Sequence, residues 1–348
     1  MGTTLYKNAD WIITMNEKRE KIRHGDLLIS GKEILDVGTD LEKKYEGTLK
    51  IDHVVEAEGT VILPGFVNVH HHTWQSLIRN IQATRGLKLE PWLTVMYEIY
   101  KDLNTDVARA GVYSGLGDML KTGCTTSNDL WYPHPVGVKY LVDAEIEAAA
   151  EIGIRFHPTR GFHSVPSSIV PPEVVDTKES VVEDTIRLVK KYHDRSRFSM
   201  CQVGIAPSIA QYETEDIIEA VVDLAEEYDI MVHGHLAESQ HEVEYTLKTW
   251  GCRPFEWFKR HRLLGKRFYF AHCIHLNEEE IAQMAETGTG VAHCPISNML
   301  LSSGACPVPS YLEHGLTRIG LGVDGAASSN SSNMLEEIRC AYLLNRLT

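Results

Sequence analysis

Positive charge is scarce in this sequence. Its 348 residues carry 34 Lys and Arg against 48 Asp and Glu, a formal net charge of -14 at pH 7. Gripping a phosphate backbone takes clustered Lys and Arg, so nucleic acid is excluded as the expected partner and a small neutral or cationic molecule suits the chain better. The sequence also lacks any apolar stretch near the roughly 20 residues that cross a bilayer. Met1-Gly2-Thr3-Thr4-Leu5 offers neither the charged nor the apolar segment of a secretion signal. No membrane association is expected, and the expected location is cytoplasmic. Asn330-Ser331-Ser332, formally a glycosylation acceptor, carries no weight without such a signal. The seven cysteines are scattered with no Cys-x-x-Cys pair, which excludes a disulfide framework and a structural zinc knot.

What is present is a chain able to bury a large core, 43% hydrophobic by composition. Up to residue 58, short apolar runs alternate with turn residues such as Ser30-Gly31-Lys32, the pattern of a small antiparallel β unit. From Val61 onward an apolar strand followed by a longer helical stretch recurs. Strands are expected there and near 125–129, 153–158, 199–205, 230–236, 267–272, 290–293 and 317–323. Helical periodicity falls on stretches such as 107–121, 137–151, 178–193 and 214–228. Eight strands alternating with helices specify a parallel sheet with helices outside it, and chemistry placed repeatedly at strand ends is how a (β/α)8 barrel builds its site. The expected domains are thus a small β part over 1–58 and the barrel over 59–348. The 161–177 stretch, rich in Pro and Ser, reads as a loop over the site, with a plain surface excursion as the alternative. Trp92, Tyr97 and Tyr100 either wall a pocket for a flat ring or pack a helix against the barrel.

The chemistry sits where apolar runs stop. Leu63-Pro64-Gly65-Phe66-Val67-Asn68-Val69 ends on His70-His71-His72, and strand alternation sends His70 and His72 one way and His71 the other. Later runs end on His233-Gly234-His235-Leu236-Ala237-Glu238, on His272 and on Asp324. A mononuclear catalytic zinc wants three or four N/O ligands and an open position. His70, His72 and His235 supply imidazoles and Asp324 a carboxylate. His233 shares the strand face of His235, so alternation does not choose between them, although the spacing to Glu238 favours His235. Water on such a metal ionises near neutral pH; Asp324 can take its proton and His272 can orient it. Glu238 can protonate a ring nitrogen and then help an amine leave. It equally fits a plain acidic residue opening the helix that begins at Ser239.

Three patterns are set aside. No Lys occurs from Cys201 to Glu244, so the carboxylated lysine that bridges two metals in related barrels is absent and one metal is expected. The His-x-Glu and Pro-Cys-x-x-Cys signature of cytidine deaminases is missing too. Gly320-Leu321-Gly322-Val323-Asp324-Gly325 matches a dinucleotide motif, but its first glycines lie inside a strand and no helix follows directly. The remaining histidines, among them His134, His157, His163 and His193, show no ligand spacing.

Together, Pro64-Gly65-Phe66-Val67-Asn68-Val69-His70-His71-His72, His233-Gly234-His235-Leu236-Ala237-Glu238, Ala271-His272-Cys273-Ile274-His275-Leu276, His293-Cys294-Pro295-Ile296-Ser297-Asn298 and Gly322-Val323-Asp324-Gly325 resemble the amidohydrolase superfamily. The likeness is to its branch of triazine hydrolases and purine or pterin deaminases. It implies a distorted TIM (β/α)8 barrel with a small β-sandwich built from both chain ends, whose C-terminal part is missing from this sequence, so the chain reads as an incomplete copy. It implies the metal ligands His70, His72, His235 and Asp324, the catalytic residues Glu238, His272 and Asp324, and His233 as structural. The metal implied is one zinc, with iron as the alternative. The segments His70-His71-His72-Thr73-Trp74-Gln75, Thr159-Arg160-Gly161 and Cys294-Pro295-Ile296-Ser297-Asn298-Met299 look most similar to 8-oxoguanine deaminases. Gln75 and Arg160 are the expected substrate-binding residues, reading a ring carbonyl and an oxo group, the plainer alternatives being that Gln75 caps local backbone and Arg160 pairs with a surface acid. The expected function is metal-dependent hydrolytic deamination of an 8-oxoguanine, guanine or pterin type heterocycle, releasing ammonia. The alternatives are a triazine or cyclic-amide hydrolase, and a barrel that binds purine or metal without turnover. The expected partners are a heterocyclic small molecule and further copies of the chain as a homo-oligomer.

Overall fold

A computed structural model of the chain describes residues 2–347. The backbone divides into two units, one ending at Gly65 and the other starting at Phe66. In the first, β1 (Thr3–Ile13), β2 (Lys21–Ser30) and β3 (Glu33–Gly38) form an antiparallel meander. Gly31, at φ 57°, takes the left-handed corner between β2 and β3 that an L side chain resists. The expected all-antiparallel unit is corrected here, because β4 (His53–Glu56) and β5 (Val61–Ile62) both run parallel to β1. A parallel neighbour needs a crossover rather than a hairpin; residues 39–52, with a helical turn at Leu41–Lys44, provide it. Asp26 pins that crossover, accepting from the backbone N–H groups of Leu41 at 2.9 Å and Asn8 at 2.8 Å. Leu5, Leu28 and Leu41 fill one small core and Ala9, Ile12 and Ala57 another.

The second unit is the distorted TIM barrel. Its staves are β6 (Phe66–Asn68), extended past a short break by β7 (His71–His72), then β8 (Cys124–Trp131), β9 (Arg155–Phe162), β10 (Gly204–Pro207), β11 (Val232–Leu236), β12 (Phe268–His272), β13 (Gly290–His293) and β14 (Ile319–Leu321), which continues as β15 (Asp324–Gly325). Eight of these pair in sequence order from β6 to β14, all parallel. The ring is drawn together where its first and last staves meet. The Val69 N–H donates to the Leu321 carbonyl at 3.1 Å, the Val323 N–H to Asn68 Oδ1 at 2.9 Å across 255 residues, and β15 pairs parallel with β7.

Helices cover the barrel because their apolar stripes recur at helical spacing. The helix Glu215–Tyr228 buries Ile217, Ile218, Val221, Val222, Leu224 and Ala225, where each large aliphatic chain contributes about 1.5–3 kcal/mol when fully buried. Polar caps set the helix starts: the Asn104 side chain accepts from two backbone N–H groups of Thr105–Lys121, and Ser239 from one of Gln240–Trp250. Among the described residues no helix is long and apolar enough to cross a membrane.

Candidate active site

The carboxyl ends of the barrel strands converge on one buried cluster. His70 and His72 leave the first stave, His235 ends near the tip of β11, His272 closes β12 and Asp324 opens β15. Asp324 Oδ1 lies 3.4 Å from His70 Nε2 and 3.3 Å from His72 Nε2, and His235 Nε2 lies 3.3 Å from His72 Nε2. His70, His72, His235, His272 and Asp324 are all buried. The backbone is bent hard at these exits: Ala237, His272, Cys273 and Asp324 have φ of 49°, 69°, 46° and 58°. Left-handed non-glycine residues cost about 1–3 kcal/mol each and gather where function needs a side chain re-aimed.

Hydrogen bonding fixes which ring nitrogens carry protons. His72 Nδ1 faces the Leu130 carbonyl at 2.8 Å and His235 Nδ1 the Ser208 carbonyl at 2.7 Å. A carbonyl only accepts, so each Nδ1 is protonated and each Nε2 presents a lone pair. The third ring is set through a relay. His233 Nδ1 donates to the Tyr269 carbonyl at 2.9 Å, which leaves His233 Nε2 to accept from His70 Nδ1 at 2.7 Å. His70 Nε2 is therefore also a lone pair, buried with no hydrogen-bond partner. Three imidazole lone pairs thus face one another and a carboxylate. Two opposed lone pairs 3.3 Å apart repel in a dry site, and a cation among them turns that repulsion into ligation. The donors suit zinc: His70, His72 and His235 form one potential ligand group, and His70, His272 and Asp324 another. Burial lowers the pKa of all three rings, that of His72 to about 3, which keeps them neutral. Burial alone would raise the Asp324 carboxyl; the His70 imidazole beside it, with those of His72 and His272, outweighs burial and holds that carboxyl well below the usual range.

Beside this cluster stand the residues expected to act as acid and base. His272 Nε2 lies 3.4 Å from Glu238 Oε2 and 4.0 Å from Asp324 Oδ2, with its Nδ1 2.8 Å from Asn298 Oδ1. Ser297 Oγ donates to Asp324 Oδ2 at 2.6 Å. Burial pushes the Glu238 carboxyl up to about 7. Behind the first stave, Asp129 Oδ1 accepts from the Thr73 N–H at 2.6 Å and Glu145 Oε1 from Thr73 Oγ1 at 2.5 Å. Burial raises both carboxyls, Asp129 to about 7. His71, on the opposite strand face, turns away and accepts from the His72 N–H at 2.8 Å.

The cluster floors a narrow cleft. Gln75 lines it, buried, with Oε1 unpartnered. Trp92 and Tyr97 line it as well, while Tyr100 packs edge-on against Trp74 at 5.8 Å, so the helix Leu89–Tyr100 both walls the cleft and packs the core. Arg160 is not brought here. Its guanidinium is buried against Asp176 at 2.9 Å and Asp184 at 3.0 Å, beside a different cavity. It clasps the two ends of the 161–177 loop. Several lining residues belong to no ligand or catalytic motif in the sequence: His163, Gln211, Tyr212, Glu90 and Ser239. His163 Nε2 lies 2.5 Å from Tyr97 Oη. Arg160 faces the helix layer, so residues of opposite parity along β9 face inward; His163 has that parity, and counting from β9 would have found it.

The sequence profile of the amidohydrolase family matches residues 61–348. An 8-oxoguanine deaminase from Pseudomonas aeruginosa is 37% identical over 295 residues, which is 84% of this chain and 66% of that protein. The chain therefore spans slightly under two thirds of this relative's length. A 5-methylthioadenosine/S-adenosylhomocysteine deaminase from Bacillus cereus is 33% identical over 99% of this chain and 74% of its own. The crystal structure of a zinc-complexed atrazine chlorohydrolase from Arthrobacter aurescens superposes with a TM-score of 0.91 at 26% identity, over 99% of this chain and 76% of that one.

Proposed function

The chain belongs to the amidohydrolase family, and from that premise we propose that it is a zinc-dependent hydrolytic deaminase. It replaces an exocyclic amino group on an aromatic nitrogen heterocycle by a carbonyl and releases ammonia. The observation that carries this reading is the convergence of three imidazole lone pairs and the Asp324 carboxylate beside a buried acid, Glu238. His70, His72, His235 and Asp324 hold the metal. When bound, zinc supplies the Lewis acidity that makes water nucleophilic near neutral pH.

The remaining work falls to the chain's own groups. Glu238, protonated up to about pH 7, donates to the ring nitrogen next to the carbon under attack and afterwards serves the leaving amine. Asp324 takes the proton that the attacking water gives up, and His272, held by Asn298, lies between the two carboxylates to orient the nucleophile. The walls of Trp92, Tyr97, Tyr132 and Tyr212 suit a flat ring, and Gln75 Oε1 is free to take a ring N–H. Neither Lys nor Arg lines the cleft, whereas Glu90 and Glu238 do. That favours an uncharged purine or pterin base, 8-oxoguanine or guanine in type, over a substrate bearing a carboxylate.

The test is zinc content together with ammonia release from 8-oxoguanine, guanine, isoxanthopterin and an aminotriazine. No ammonia from any of them after zinc loading would overturn the reading. A second reading, loss of chloride or an alkylamine from a triazine, draws on the likeness to the atrazine chlorohydrolase; product masses separate the two. Ligand binding with no turnover at saturating zinc would leave only a binding barrel.

A further inference from the structure

The turn after β11 carries a sequence pattern that ordinarily serves another purpose. Ser239-Gln240-His241-Glu242 has the spacing of a capping box, in which the fourth residue's carboxyl turns back to the first residue's own N–H. Half of the box is formed, since Ser239 Oγ accepts from the Glu242 N–H at 3.2 Å. The other half is diverted. Glu242 Oε2 accepts instead from the Glu238 N–H at 3.0 Å, one residue farther back. The same chain shows what an undiverted box looks like at Asn277–Glu280, where Glu280 Oε2 holds the Asn277 N–H at 2.9 Å.

The diversion is costly as a helix cap. Glu242 is fully buried, its Oε1 has no hydrogen-bond partner among the described residues, and burial pushes its carboxyl up to about 8. A solvated glutamate would cap the helix without that desolvation. The diversion acts on Glu238, whose N–H turns to this carboxyl, and so on the bend just before it, where Ala237 is the left-handed residue that swings the chain off the strand. Glu238 needs such an anchor, because its own carboxyl makes only long contacts, 3.3 Å to Ser303 Oγ and 3.4 Å to His272 Nε2. Its aim is set by its backbone.

We propose that Glu242 is a positioning residue that locks the Ala237 turn and the Glu238 N–H and so aims the Glu238 carboxyl at the reacting ring, an inference that rests on the proton-donor role proposed for Glu238. The experiment compares E242A, the isosteric E242M, E242Q and E238Q in the zinc-loaded chain, reading kcat, KM, bound zinc and unfolding temperature. A misplacement near 1 Å costs about 100-fold, so E242A and E242M are expected to lose roughly 30- to 100-fold in kcat, with KM within about 3-fold and zinc retained. In E242Q the amide oxygen still accepts the Glu238 N–H, and kcat is expected to return to within about 5-fold of the parent. A parental kcat in E242M would overturn the proposal. So would E242Q failing to recover while zinc content and unfolding temperature fall in step with activity, the signature of a purely structural role. If E238Q is inactive and E242M active, positioning alone has failed; if E238Q is active, the proton-donor reading has failed and this proposal with it.

Discussion

Replacing His233 by Phe should weaken zinc binding although His233 touches no ligand position. The Phe ring preserves volume and the stack on Tyr269, where the rings lie 4.1 Å apart at 11°. What it deletes is the acceptor that holds the His70 Nδ1 proton at 2.7 Å. His70 is then left with two poor choices. It can keep its Nδ1 proton buried and unpaired, at about 1–3 kcal/mol, or move that proton to Nε2, where it occupies the metal's place. Either way zinc must supply the difference. The loss of an outer partner to a metal-bound imidazole typically lowers affinity about 10- to 100-fold, which at roughly 1.4 kcal/mol per tenfold is about 1.4–2.8 kcal/mol. The two routes agree. The assay is zinc competition against a chelator of known affinity at neutral pH, with H233Q beside it, since a glutamine carbonyl can accept the same proton. H233F binding zinc as tightly as the parent, or H233Q failing as badly as H233F, would refute the proton-ordering argument.

Stripping zinc with a chelator should lower the unfolding temperature, because the lone pairs of His72 and His235 are left opposed at 3.3 Å. Zinc at a thousandfold its dissociation constant should stabilise by about 4 kcal/mol, and an unfolding temperature indifferent to zinc would contradict the ligand set. The Asp129 and Glu145 carboxyls make stability fall with rising pH. Burial raises Asp129 from 3.8 to about 7, so the stability it contributes is complete below its unfolded value and is lost as pH climbs through about 7. Asn at 129 can accept from the Thr73 N–H and donate to Glu145, so D129N should flatten the unfolding-temperature profile between these values; an unchanged slope would exclude the pair as its source. Finally, with no Lys or Arg among the described residues lining the cleft beside Glu90 and Glu238, a substrate bearing a carboxylate should be turned over at least about 100-fold less efficiently than a neutral base, since an uncompensated like charge costs several kcal/mol. Comparable kcat/KM for S-adenosylhomocysteine and guanine would show that reasoning to be mistaken.

The barrel was legible in the sequence because its strands are buried on both faces and read as apolar runs, and because each run that mattered stopped on His, Glu or Asp. Two features were not legible, for different reasons. The parallel return of β4 and β5 depends on a crossover whose only helix is the four residues Leu41–Lys44, too short to show a period. Arg160 stands at a strand end like the ligands do, but parity sends its guanidinium outward, to Asp184 on the helix Lys178–Tyr192. Position along a strand marks a residue as eligible for the site, and the face it takes decides whether it enters.

Parity itself fails at the last step. Ala237, His272 and Asp324 are left-handed, so the side chains at and just after them leave the alternation that β11, β12 and β14 would impose. Such turns cost about 1–3 kcal/mol each and persist only where the surroundings over-determine them. For Asp324 those surroundings come from the first stave, distant in sequence but adjacent in the ring: its N–H donates to the His70 carbonyl at 3.0 Å, and the preceding N–H to Asn68. The carboxylate proposed to complete the ligand set is thus held in its strained turn by the closure of the ring. Loosening closure at Asn68, by N68L, removes the Oδ1 that accepts from Val323 while filling comparable volume. The expected result is a loss of zinc affinity greater than the loss in unfolding temperature would imply. Zinc bound at parental affinity by a correctly folded N68L would mean that the Asp324 turn is fixed locally, and that ring closure and ligand geometry are independent.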